Sequence, residues 1–173
     1  MNESSPPAWK PELDAIVGAR HGGQVSGVLD QLKNMAERFP QVAEVHHQLA
    51  WTHDVLDQPR LAVPHYEKAI ALGLPPNELS GALLSLGSSL RLTGQLDRSL
   101  EVLESGRRQF PNHQEFRVFL ALTQHDRGTP TTAVQTLLSV LLDTCEDPGI
   151  NAYQRALRHH GERLQPAAHS LKN

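Results

Sequence analysis

A chain of 173 residues with 39% hydrophobic side chains and a formal charge of -3 at pH 7 has the size of one ordinary globular domain. That balance argues against a disordered polymer, and against a nucleic-acid binder, which would usually be basic. The single cysteine, Cys145, excludes an internal disulfide and a cysteine-based zinc site.

At the N-terminus, MNESSPPAWKPELD lacks the apolar core of a secretory signal, and no apolar run approaches the ~20 residues of a membrane helix. A cytoplasmic location is therefore expected. Residues 1–8 (MNESSPPA) and 165–173 (QPAAHSLKN) lack periodicity and are expected to be disordered tails. Between them nearly every segment has helical spacing, as in Leu83, Leu86 and Leu90, or Leu96, Leu100 and Leu103. Strand signals are nearly absent. Turns are expected at His21-Gly22-Gly23, Asp57-Gln58-Pro59, Leu74-Pro75-Pro76, Thr93-Gly94, Pro111-Asn112, Gly128-Thr129-Pro130 and Pro148-Gly149. The fold class is all-α.

In chain order the helices pair. Residues 9–39 form a degenerate pair, with Gly23 at its turn and Phe39-Pro40 at its end. Residues 43–76, 80–113 and 114–147 form three clearer pairs, and residues 149–164 (GINAYQRALRHHGERL) a last helix. In that helix Ile150, Tyr153, Leu157 and Leu164 are expected to face the stack, and Arg155, Arg158 and Arg163 to face water, as a capping helix requires. The three clearer pairs repeat one another. Leu49-Ala50, Leu86-Gly87 and Leu120-Ala121 correspond. So do the small residues Ala62, Ser99 and Ala133, and the larger Tyr66, Leu103 and Leu137 after them. Ala69, Gly106 and Val140 follow, and the turns align at Asp57, Gly94 and Gly128. The second and third units are spaced by roughly 34 residues.

Gly106 stands inside a helix, where glycine costs about 1 kcal/mol relative to alanine. Close helix crossing explains it: Gly87 and Ser99 are expected to serve one contact, and Gly106 to admit the next helix. Gly94 ends one helix and turns the chain into the next, and Pro111 stops the helix after Phe110. Pro64, inside a second helix, is expected to kink it or delay its start.

On these residues the chain resembles the tetratricopeptide repeat family over about residues 43–147. The run SLRLTGQLDRSLEVLESGRRQFPNHQEFRVFLALTQHDRG, with the helix containing Tyr153 and Leu164, is most similar to the small bacterial fifth group of that family. The resemblance implies an α-solenoid of helix-turn-helix hairpins that binds proteins and carries no catalytic activity, in a group suspected to dimerise.

First helices of such hairpins line a concave groove. The positions left for it are His47, Trp51 and Asp54, then Leu84, Ser88 and Arg91, then Val118, Leu122 and His125. Trp51 beside Leu84, Val118 and Leu122, rimmed by Arg91 and Asp54, reads as an apolar strip for a protein or peptide partner. The alternatives are that Trp51 packs on the N-terminal helix, or that a homodimer covers the strip. Lysine–asparagine clamps for C-terminal carboxylates, known in some relatives, are absent, because His47, Trp51, Leu84 and Ser88 hold those positions.

Other chemistry finds little footing. The histidines form no His-x-x-x-His pair, and His46 and His53 occupy packing positions, so no metal site or cofactor is expected. His-rich helices suggest acid sensitivity. Ser88 and Ser105-Gly106 lie in helices with no oxyanion hole, and His21-Gly22-Gly23 is too short for a phosphate loop. Asp143, Glu146 and Asp147 around Cys145 disfavour a thiolate. Arg155, Arg158, His159, His160 and Arg163 suit the C-terminal end of a helix better than nucleic acid. The expectation is an interaction protein, not an enzyme, with no nucleic-acid or membrane partner.

Overall fold

The computed structural model describes residues 7–21 and 25–165, and there the chain forms ten helices and no strand. The Gly22-Gly23 turn and most of both expected tails lie outside the described residues. Two compact units follow one another, the first ending at Thr93 and the second starting at Gly94.

The first unit holds α1 (Lys10–His21), α2 (Val25–Arg38), α3 (Ala43–Val55), α4 (Pro59–Leu72) and α5 (Pro76–Leu92). Apolar residues three and four apart put one stripe of each helix into a common core. Leu13 and Ile16 of α1, Val28, Leu32 and Met35 of α2, and Val45 and Leu49 of α3 are buried together. Trp9, Leu29 and Phe39 close its edge. Each fully buried leucine or methionine there contributes roughly 1.5–3 kcal/mol, and Leu32→Ala would cost about 2–5 kcal/mol. Helices α1 and α2 thus share one core with α3. Helix α4 then packs on both α3 and α5. Its contact face is small where helices cross, with Ala62 and Ala69 wholly buried.

Helix starts follow from proline. Pro59, Pro76, Pro130 and Pro148 each open a helix, where a missing N–H costs nothing and the fixed φ is already helical. Helix α4 begins at Pro59 and runs through Pro64 to Leu72, so its start is not delayed. Pro64 is solvent-exposed, which leaves the Arg60 carbonyl it cannot serve on the wet side of the helix.

The turns carry the repeat in their backbone. Asp57, Gly94 and Gly128, the three aligned positions, have φ of 55°, 80° and 85°. Such left-handed residues let the chain reverse in few steps, and an aspartate tolerates this conformation better than most non-glycine residues.

The second unit holds α6 (Leu96–Gln109), α7 (Glu115–Asp126), α8 (Pro130–Thr144), α9 (Pro148–Ala152) and α10 (Gln154–Glu162). Leu103, Phe116, Leu120, Ala121 and Ala133 are buried there, and Ser99 meets Thr123 in the core, hydroxyl to hydroxyl at 3.1 Å. Gly106 lies under the ring of Phe116, as a glycine that admits the next helix should.

The C-terminal end differs from expectation in three ways. Pro148-Gly149 is not a bare turn but the first turn of α9, whose start Asp147 caps by accepting from the Ile150 N–H at 2.9 Å. The last helix is also broken at Tyr153, which is 69% exposed, and Leu164 is exposed as well. What holds α10 to α8 instead is Gly161, buried against Leu138, with its carbonyl accepting from Gln135 Nε2 at 3.0 Å. Thirdly, Leu137 is 39% exposed although Tyr66 and Leu103, its counterparts, are fully buried. Helix α10 packs on the neighbouring face of α8, at Gln135, Leu138 and Leu142.

Candidate functional site

Helix α3 sorts its side chains onto two faces. His46, Leu49, Ala50 and His53 turn into the unit and are buried, whereas His47, Trp51 and Asp54 follow the other side. Trp51 is 37% exposed. One face of its indole carries the guanidinium of Arg20 from α1, 3.6 Å from the ring centroid, a cation–π pair made stronger by desolvation.

Arg20 is itself buried. It donates to Gln48 Oε1 at 2.6 Å, to the Gln48 carbonyl at 3.4 Å and to the Thr52 hydroxyl at 3.1 Å. Burial pulls its pKa down to about 10, since none of these partners is a carboxylate that would favour the cation.

The remaining candidates of the first unit lie on the adjacent α3 and α5. His47 Nδ1 and Glu78 Oε2 are 2.9 Å apart, tying the start of α5 to α3. Asp54 is half-buried. Its Oδ2 accepts from the Tyr66 hydroxyl and its Oδ1 from the Ser89 hydroxyl, both at 2.8 Å, so one carboxylate joins α3, α4 and α5. Burial raises the Asp54 pKa, partly offset by those two donors. Its charge is used inside the unit rather than at a rim. Leu84, Ser88 and Arg91 run along α5, each half-buried.

In the second unit Val118, Leu122 and His125 share one face of α7. Val118 is half-buried, Leu122 is 39% exposed, and exposed His125 has Asp126 at 3.2 Å from its Nδ1. The two units thus present their own sets on α3–α5 and on α7.

Behind the α3 face, His65 of α4 stands between two histidines of α3. Its ring centroid is 5.6 Å from His46 at an interplanar angle of 12°, and 5.8 Å from His53 at 10°. Among the described residues no group of three or more His, Cys, Asp or Glu side chains is arranged to hold a metal ion. Likewise, no described helix is long and apolar enough to cross a membrane.

Comparison with known proteins bears on this arrangement. The family model described as tetratrico peptide repeat matches residues 43–164. The chain belongs to the tetratricopeptide repeat family. That family's fold generally serves protein interaction and not catalysis. No curated protein matches the chain. Among solved structures it is similar to the crystal structure of MamA protein, with a TM-score of 0.68 and 19% identity over 78% of this chain and 72% of that one. It is also similar to YrrB, a tetratricopeptide protein with an unusual peptide-binding site, with a TM-score of 0.67 and 20% identity over 88% and 75% of the two chains. A third is pilF of Pseudomonas aeruginosa, with a TM-score of 0.64 and 18% identity over 88% and 68%. At these identities the likeness is one of fold.

In tetratricopeptide terms α3, α5 and α7 are first helices, and the candidate residues sit on them. Arg20, which covers Trp51, was not among the candidates. A signal for it existed: Arg20 continues the stripe of Leu13 and Ile16 along α1, so a cation was bound to enter the packing face.

Proposed function

We propose that this tetratricopeptide chain is a non-catalytic interaction module that captures a partner segment on its first-helix face, the side that is concave in a tetratricopeptide superhelix. In the first unit the segment would lie along His47, Trp51, Leu84, Ser88 and Arg91, with Asp54 bracing the helices from behind. In the second unit Val118, Leu122 and His125 would offer the corresponding positions on α7. The observation that carries this reading is Trp51: a large aromatic kept 37% exposed while Arg20 fixes its ring from one side. A rigid, part-exposed aromatic gives a partner contact area at little entropic cost. The peptide-binding relative supports the same use of the fold.

A photo-crosslinking residue at Ser88 tests this, with one at exposed Arg60 of α4 as control. Crosslinking in native extract should join a defined partner segment to position 88, and Trp51→Ala should remove that product while the helical spectrum stays intact. Equal products at 88 and 60, or products indifferent to Trp51→Ala, would sink the reading.

A second reading, a homodimer, draws on α8. Val134, Leu137 and Leu141, at helical spacing, are 51%, 39% and 42% exposed. Self-association through this stripe would give twice the monomer mass in light scattering, and Leu137→Asp would return the monomer.

A further inference from the structure

The three stacked histidines have no part in the interaction face, and their hydrogen bonds fix where each proton sits. The Pro40 carbonyl can only accept, so His46 Nε2 carries the hydrogen and donates to it at 3.1 Å. His46 Nδ1 then holds the lone pair, and accepts from His65 Nδ1–H at 3.4 Å. On the far side, His53 Nδ1–H donates to Gln58 Oε1 at 2.9 Å. His46 and His53 are two turns apart on α3, a rise of about 10.5 Å, which admits one imidazole ring between them. Neutral rings therefore fill the gap with their protons allocated.

Acid disturbs this at His46 and at His65. A proton added to His46 must go to Nδ1, where it would meet the N–H of His65 head on. A proton added to His65 must go to Nε2, placing a cation between two buried rings. Among the described residues the charged or titratable groups acting on His65 are His46 and His53 from α3 and Lys68 of its own helix, and none of them is an acid. Asp54 interacts with His53, but Tyr66 and Ser89 hold its carboxylate. No group of α5, the other helix packed on α4, acts on His65.

We propose that this three-ring stack is an acid-operated latch, in which protonation parts α4 from α3 and loosens the α3 face of the first unit. Burial, with help from His46, His53 and Lys68, holds the His65 imidazole at about 4 instead of its ordinary 6.5. Burial lowers His46 as well. Because the folded values lie below the unfolded one, the latch contributes stability that is whole above pH 6.5 and is lost as the pH falls toward 4. The consequence for partner capture rests on the interaction face proposed above. The latch itself is read without any partner, so either can fail alone.

Both tryptophans, Trp9 and Trp51, lie in the first unit, so intrinsic emission reports the unit with the latch. The experiment follows tryptophan emission of the full chain from about pH 7.5 to about pH 4, together with an NMR titration of the histidine Hε1 signals. Expected is an emission shift inside that window, His65 titrating below about pH 5, and His65→Phe moving the emission midpoint down by about one pH unit or more. A His65 signal titrating near its ordinary value with no emission change overturns the latch. So does an emission shift at the same pH in wild type and His65→Phe. If His65→Phe fails to fold at neutral pH, the wild-type NMR titration decides alone.

Discussion

Gly106 of α6 and Phe116 of α7 meet so closely that a Cβ on Gly106 would lie 2.1 Å from Cε1 of the ring, and 2.6 and 2.8 Å from two further ring carbons. Phe116 is fully buried and cannot swing clear. Gly106→Ala should therefore destabilise the second unit, because overpacking of about 1–3 kcal/mol outweighs the helix-propensity gain of about 1 kcal/mol. Denaturant midpoints would show it. Phe116→Leu in the Gly106→Ala background should recover part of the loss, and simple additivity of the two changes would refute the steric account.

Asp57 holds φ at 55° where the matching turns use glycine. Asp57→Gly should stabilise the first unit by up to about 1 kcal/mol, whereas Asp57→Val should cost about 1–3 kcal/mol. Thermal melts of the two variants against wild type give the order directly, and a stabilising valine would contradict the left-handed assignment.

Tyr66→Phe removes one of the two donors to the Asp54 carboxylate and should cost about 1.5–3 kcal/mol at neutral pH. Its pH dependence has a defined sign. Burial places the folded pKa of Asp54 above the unfolded 3.8, so this group favours the fold most at low pH and less as the pH rises through its folded value. Losing the Tyr66 donor raises that value further. The deficit of Tyr66→Phe relative to wild type should consequently be larger near neutrality than in acid, which urea titrations at two pH values can compare.

Arg20→Lys should lose about 1–2 kcal/mol, because a lysine ammonium cannot both lie flat on Trp51 and reach Gln48 and Thr52. Trp51 emission should change together with stability. An Arg20→Lys protein as stable as wild type would show that the stacked guanidinium contributes nothing.

The helical pairs were legible because each of their demands falls on one residue type at one place. Left-handed turns need glycine or a tolerant aspartate, helix starts accept proline, and a close crossing needs Gly106; all three read out of local sequence. Reading failed where the answer depends on a neighbour that local pattern does not reveal. Tyr153 looked like a packing residue, yet the chain breaks there and turns it outward, and Gly161 makes the contact on Leu138 instead. Leu137 has the right spacing but stays exposed beside the face that α10 packs on. Of the candidate site, helical register put Trp51 and Leu122 on the first-helix face of their repeats but left open whether Trp51 is exposed or packed. The inward use of Asp54 and the cover provided by Arg20 did not follow from register, because both depend on partners 12 to 35 residues away in sequence.

The helix starts have one more implication. At six of them, from α3 to α8, the N-cap side chain makes no capping hydrogen bond. These N-cap positions are a reserve for engineering a heat-tolerant variant. A serine or aspartate in place of Gln95 ahead of α6 should add about 1 kcal/mol to the second unit.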